Sequence, residues 1–279
     1  MTDARSIDHV VIAVDDLDRA AADYEALGFT LTPRAFHEDR MGTSNRLAQL
    51  AGRNFIELLE VDRPDRLEEH DFDGSPPRFS FGAHNRDFIR QRNGMSMLVV
   101  AADDARAAVA QFKAAGMDTY APLDFERKAT LPDGSQATVA FSLAFATAPS
   151  LPGLSFFVCQ DHSPQHFWKP AFQAHENGAE AIVAVYLVAE EPEVQVPFLT
   201  GFTGGTAEPV DGGYCLRCAD GQELLVLTPD GLQARVPNSG FVPDGAPRLA
   251  GMAIRSARQE QQVIPADRAC GAFIKWRRA

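Results

Sequence analysis

Residues 7–31 read IDHVVIAVDDLDRAAADYEALGFTL, and the change of rhythm inside this stretch decides the fold. Positions 7 to 14 alternate and are rich in Val and Ile, which predicts a strand. Asp15 and Asp16 end that run and offer a helix N-cap. Leu17, Ala20, Ala21, Tyr24 and Leu27 then follow helical spacing, and Gly28 stops the helix. Phe29–Thr32 starts another extended piece, and RLAQLAG and NFIELLEV add two strands joined through Gly52. The unit is βαβββ.

The unit recurs. MLVVAADDARAAVAQFKAAGMDTY, from residue 97, repeats strand, Asp-Asp cap, amphipathic helix and Gly stop about 88 positions later. AVYLVAEEPEVQVPFLTGF, from residue 184, repeats it about 87 positions further on, with Glu190 and Glu191 in place of the Asp pairs. PRLAGMAIRSA opens a fourth module without a convincing helix, and RQEQQVIPADRACGAFIKW runs into closing strands. Residues 62–93 have no long periodicity and read as a linker, as do residues 161–179.

The chain has 279 residues, 45% of them hydrophobic, enough for more than one core. Its 38 acidic against 26 basic residues give a net charge of -12, which repels phosphate backbones and anionic membranes. Nucleic acid and membrane are therefore not expected partners. The N-terminal apolar run is short and broken by Asp15 and Asp16, so neither a signal peptide nor a span is expected. Cys215 and Cys218 form a lone C-x-x-C on a strand, where i and i+3 face opposite ways, so a structural role is expected. A reducing, cytoplasmic setting fits.

The opening stretch resembles the start of glyoxalase-like members of the vicinal oxygen chelate superfamily. GTSNRLAQLAGRNFIELLEV resembles that group's loop and closing strand, and FFVCQDHSPQHFWKPAFQAHENGA its domain junction. The resemblance implies an α+β fold in which repeated βαβββ modules pair into vicinal-oxygen-chelate half-barrels. Residues 1–178 would form a first domain (modules about 6–62 and 94–160), and residues 179–279 a second, degenerate one. A homodimer is possible on the same ground.

The resemblance also implies a divalent metal, held by a histidine on a module's first strand and a glutamate on its last. His9 and Glu57 occupy those positions in the first module. The residues themselves point the same way: both stand on apolar faces, His9 with Ile7, Val11 and Ala13, and Glu57 with Phe55, Leu59 and Val61. A carboxylate there costs several kcal/mol unless it is paired or coordinated. Imidazole and carboxylate suit Zn, Ni, Mn or Fe, which would act as a Lewis acid; alternatively Glu57 serves as a base with its pKa raised by burial. His37, Asn45 and Arg46 in the following loop are candidate substrate contacts, the guanidinium as a carboxylate clamp. His162 and His166, four apart, are a weaker metal pair. Phe167, Trp168 and Phe172 read as junction packing, and His175 as ordering that junction.

The pattern has gaps. The second module carries Met97 where the matching histidine would be, SFFVCQD supplies no glutamate, and the third module has Ala184. Two functions follow. One is a glyoxalase-like small-molecule enzyme (lyase, isomerase or dioxygenase type) using a divalent metal in the first cleft, with Glu57 catalytic. The alternative is a metal-free binding or sequestering protein of the bleomycin-resistance type.

Overall fold

The computed structural model describes residues 4–130, 136–259 and 262–279. The first module is β1 (Ile7–Ala13), α1 (Leu17–Ala26), β2 (Ala35–Phe36), β3 (Ser44–Gln49) and β4 (Phe55–Glu60). A helix, α2 (Phe81–Ile89), precedes the second: β5 (Gly94–Ala101), α3 (Ala105–Ala114), β6 (Asp118–Thr119), β7 (Leu123–Thr130), β8 (Gln136–Thr147) and β9 (Ser155–Asp161). A single turn, α4 (Pro164–Phe167), leads into the third: β10 (Ala179–Val188), α5 (Pro192–Thr203), β11 (Thr206–Val210), β12 (Gly213–Arg217) and β13 (Glu223–Leu227). After α6 (Pro229–Arg235) come β14 (Arg248–Ser256), β15 (Val263–Ile264) and β16 (Phe273–Arg278). The fold is α+β, with the βαβββ unit repeated.

Each module closes on itself in the same way, its first strand pairing in parallel with its last: β1 with β4, β5 with β9, β10 with β13, β14 with β16. The first strands then pair antiparallel, β1 with β5 and β10 with β14. A contact at Leu249↔Met95 joins β14 to β5, so the strand path runs unbroken from β11 to β2.

Asp16 caps α1 by accepting from the Arg19 amide, and Asp104 caps α3 by accepting from Arg106 and Ala107. In the third module Glu191 precedes α5 with no such side-chain bond; Pro192 at the helix's first position supplies the preset φ instead. The segment 62–93, expected to lack periodicity, contains α2. Ser80 caps this helix by accepting from Ala83, and its apolar face is too short to register in the sequence.

β1 is buried along almost its whole length because both its faces are covered. Val10 and Ile12 join a core that runs under α1, α3 and α5, anchored by Tyr24, Phe112 and Phe202. Each fully buried ring of that kind contributes about 1.5–3 kcal/mol. Val11 belongs to a second cluster enclosed by the first two modules, and a third cluster around Tyr186 and Phe273 fills the last two. Ile7, expected on the His9 face, lies in the helix-covered core, because the pairing with β5 shifts register between Ile7 and His9. Cys215 and Cys218 lie in different clusters on opposite sides of their sheet.

Candidate functional site

Within the cluster of the first two modules is a chamber with about 460 Å³ of empty space, counted with the solvent at its open mouth. Its wall is mainly aromatic, with Phe55, Phe81, Phe125, Phe141, Phe157 and Phe167. Five polar side chains interrupt it: His9, His37, Asn45, Glu57 and Arg127. The parallel register sets Val11 opposite Glu57 and His9 opposite Phe55, so alternation brings the His9 and Glu57 side chains to the same inner face. His9 stacks on Phe55 with centroids 4.2 Å apart. Nε2 of His9 lies 3.7 Å from Oε2 of Glu57, and Nδ1 contacts the Asp8 carboxylate. Asp8 thus orients the ring with Nε2 toward the chamber.

Asn45, next but one to Leu47 on β3, reaches the same spot. Its Nδ2 donates to Glu57 Oε1 at 2.6 Å and to His37 Nε2 at 3.2 Å. His37 Nδ1 then donates to Thr43 Oγ1 at 2.7 Å, which fixes a neutral tautomer. A tight loop makes this possible. Gly42 turns it with φ 63°, and a Cβ there would stand 2.6 Å from the Arg63 carbonyl oxygen. The Arg63 guanidinium holds the loop from outside through the carbonyls of His37 and Thr43.

Burial dominates the electrostatics. Glu57 is 5% exposed, and removal from water pushes its carboxyl above the usual range, against the opposing pull of His9, Asn45 and Arg127. Burial, reinforced by the nearby Arg127 and Arg63 charges, lowers His37 to about 3, so it stays neutral. Arg127 on β7 is half-buried, and among the described residues it has no hydrogen-bond or ion-pair partner. Burial lowers its pKa while Glu57 raises it. The Asn45 Oδ1 atom is likewise buried without a partner among the described residues.

Four of the five residues singled out in the sequence therefore converge: His9, Glu57, His37 and Asn45. Arg46 does not. Its neighbours Asn45 and Leu47 point inward, so pleating turns it outward, where it donates to Glu25 Oε1 and the Thr32 carbonyl. His162 bonds Ser142 Oγ at 2.8 Å, and His166 lies in an outer groove, not in a shared site with it. Phe167 is more than junction packing, since it borders the chamber, and Phe172 lines the outer groove. His175 orders the junction as expected, accepting from the Thr30 amide and donating to the Gln49 carbonyl. Sequence reasoning missed Arg127; its alternation with Phe125 in LDFERKAT was the available signal, but β7 had no assigned place in the second module.

A family model described as a glyoxalase-like domain matches residues 7–202. The chain belongs to the glyoxalase-like domain family. Among solved structures, this glyoxalase-like chain is similar over 98% of its length to a hypothetical protein from Staphylococcus aureus, at 16% identity, 99% coverage of that chain and a TM-score of 0.75. It also resembles a variant of 4-hydroxymandelate synthase from Streptomyces coelicolor, at 13% identity, covering 91% of this chain and 71% of that one with a TM-score of 0.54. At these identities the likeness shows the fold, that of the vicinal oxygen chelate superfamily. No curated protein matches the sequence.

The donor chemistry of the glyoxalase-like chamber does not fit the resident divalent metal that the resemblance implies for His9 and Glu57. In the second module the parallel register Met97↔Ser155 and Val99↔Phe157 repeats His9↔Phe55 and Val11↔Glu57. Met97 and Phe157 thus replace half of the implied ligands. In the first module the Asn45 amide occupies lone pairs of both Glu57 and His37. A guanidinium lines the same wall. No group of three His, Cys, Asp or Glu side chains among the described residues has metal-holding geometry.

Proposed function

We propose that the glyoxalase-like chamber binds a small, largely apolar carbonyl compound and moves a proton on it, as an isomerase or lyase would. The observation that carries this reading is the buried Glu57 carboxyl, raised by burial and 3.7 Å from an Asp8-oriented imidazole in an aromatic enclosure. A carboxyl tuned upward takes or gives a proton more readily near neutral pH. Glu57 Oε2 takes a proton from carbon next to the carbonyl, the C–H electron pair forms a C=C bond, and the carbonyl π pair moves onto the oxygen. Arg127 stabilises the oxyanion that forms. His9 Nε2 is the neighbouring group through which the proton returns, to the same carbon or to another. Modules three and four serve as a non-catalytic half after residue 178. Ala184 and Leu225 occupy the places of His9 and Glu57 there, and both are packed in an apolar cluster.

The second reading is a binding or sequestering protein. Met97 and Phe157, which put a thioether and a phenyl ring at the positions matching His9 and Glu57, favour it. One experiment separates the two: NMR of solvent-deuterium exchange into a panel of small 2-oxo acids and aryl ketones, with metal content measured on the same protein. Exchange that disappears in Glu57→Gln and drops at least about tenfold in His9→Ala supports proton transfer. Ligand-induced thermal stabilisation without exchange turns the assignment to binding. Stoichiometric metal lost in both variants would restore the metal-dependent enzyme.

A further inference from the structure

A second groove, of about 1190 Å³, opens beside the chamber and shares Leu47, Arg127 and Phe167 with it. In a chain with a net charge of -12, this groove is lined by Arg34, Arg127, Lys128, His166 and Lys169, and among the described residues by no acidic one. The cations differ in how free they are. Arg34 is already neutralised by Glu60 at 2.7 Å, with Asp18 at 3.6 Å. Among the described residues, Lys128 donates to the Thr138 hydroxyl at 3.2 Å, and neither Lys128 nor Lys169 has a carboxylate within ion-pair distance. Lys128 extends from β7 beside Arg127, while Lys169 comes from the junction after α4, where its amide is fixed by Gln49 Oε1 at 3.0 Å. Two separate parts of the chain therefore bring to the mouth of an apolar chamber positive charge that has no carboxylate partner among the described residues.

We propose that this groove is an anion subsite, and that the ligand of the chamber carries a carboxylate or phosphate on the end that points out of it. The proposal deepens the reading above and rests on the chamber being the ligand site, whichever chemistry occurs there. An acidic protein repels anions in general, so local positive potential at one mouth raises both capture and orientation of an anionic molecule. The apolar end enters the aromatic enclosure, and the charged end stays between Lys128 and Lys169.

The test uses three probes of one shape: 4-phenylbutyrate, 4-phenylbutyl phosphate and the uncharged 4-phenylbutyramide, with affinities measured by calorimetry at low salt. At least one anion binds about tenfold or more tightly than the amide, and the preference shrinks as salt is raised. The tighter of the two anions identifies the head group. In Lys128→Glu, Lys169→Glu and the double variant, the anion-to-amide affinity ratio collapses toward one. Lys113→Glu, the same charge change on the exposed side of α3, leaves that ratio as it was. Equal affinity for anions and amide, or a ratio indifferent to both groove lysines, overturns the anion subsite and leaves the chamber reading standing. Failure of all three probes to bind overturns both.

Discussion

Asn45 has one NH2 group with two N–H donors, and it spends one on each of two acceptors at the centre of the site. Donating to Glu57 at 2.6 Å and to His37 at 3.2 Å, it couples a carboxylate to a neutral imidazole. Asn45→Leu should cost about 1–3 kcal/mol of stability, because two buried acceptors lose their donor. It should also raise the Glu57 pKa further, since the Asn45 bond is one of the influences holding it down. Carbon-detected NMR titration of labelled Glu reads this directly; an unchanged or lower Glu57 pKa would contradict the assignment. A buried histidine, His37, and a half-buried one, His84, give a second test at this scale. Burial lowers His37 to about 3 and His84 to about 4, below the ordinary 6.5. Between those values the unfolded chain binds protons that the folded chain refuses, so stability falls as pH drops from 6.5 toward 4. Glu57, with its raised pKa, works in the opposite direction above 4.5. Comparing urea midpoints at pH 7 and pH 5 in wild type and His84→Gln isolates the histidine contribution: the acid loss should be smaller in the variant.

At the scale of elements, the same βαβ start is written three times with different capping chemistry. Asp16 accepts a hydrogen bond from the third residue after it, whereas Glu191 accepts none. Asp16→Ala should therefore lower stability by about 1 kcal/mol, and Glu191→Ala should fall within about 0.5 kcal/mol of wild type. Thermal or chemical unfolding of the two variants side by side checks this, and equal losses would contradict it. The sequence showed these starts clearly because an Asp-Asp pair followed by helical spacing is a local signal. It did not show α2, whose nine residues, Phe81–Ile89, are placed by packing: Phe81 borders the chamber, and Asn85 bonds the Ser96 hydroxyl behind β5.

On the scale of the whole molecule, the two halves are tied by matched polar clamps. Asn54, just before β4, donates to the Ile182 carbonyl and accepts from the Ile182 amide, both at 2.9 Å. Gln222, just before β13, makes the corresponding reach to the Ile7 backbone. Asn54 is buried, so Asn54→Leu takes away the Asn54 acceptor of the Ile182 amide and leaves the Ile182 carbonyl with the 3.3 Å bond from Gln222, which should cost about 1–3 kcal/mol. Because one core runs under helices of both halves, unfolding should remain a single transition. Two resolved transitions in calorimetry would show that the halves are less coupled than the clamps imply.

By itself the sequence determined the repeated unit, its helix starts and stops, and the inward-facing pair His9 and Glu57. All of these depend on period and on caps that neighbours in the chain supply. Only the tertiary structure decided what those residues meet. Asn45 reaches Glu57 through the pairing of β3 with β4, His37 reaches Asn45 from the loop turned by Gly42, and Arg127 comes to the same chamber on β7, which pairs with β8. No local rhythm encodes these meetings, and the pleat turned Arg46 out while its neighbours turned in. Met97 and Phe157 could be seen in the sequence as missing ligands, but only the register between β5 and β9 showed that they stand where His9 and Glu57 stand. The groove cations likewise come from β7 and from the junction after α4, distant in the chain, and their common field exists only where the folded backbone brings them together.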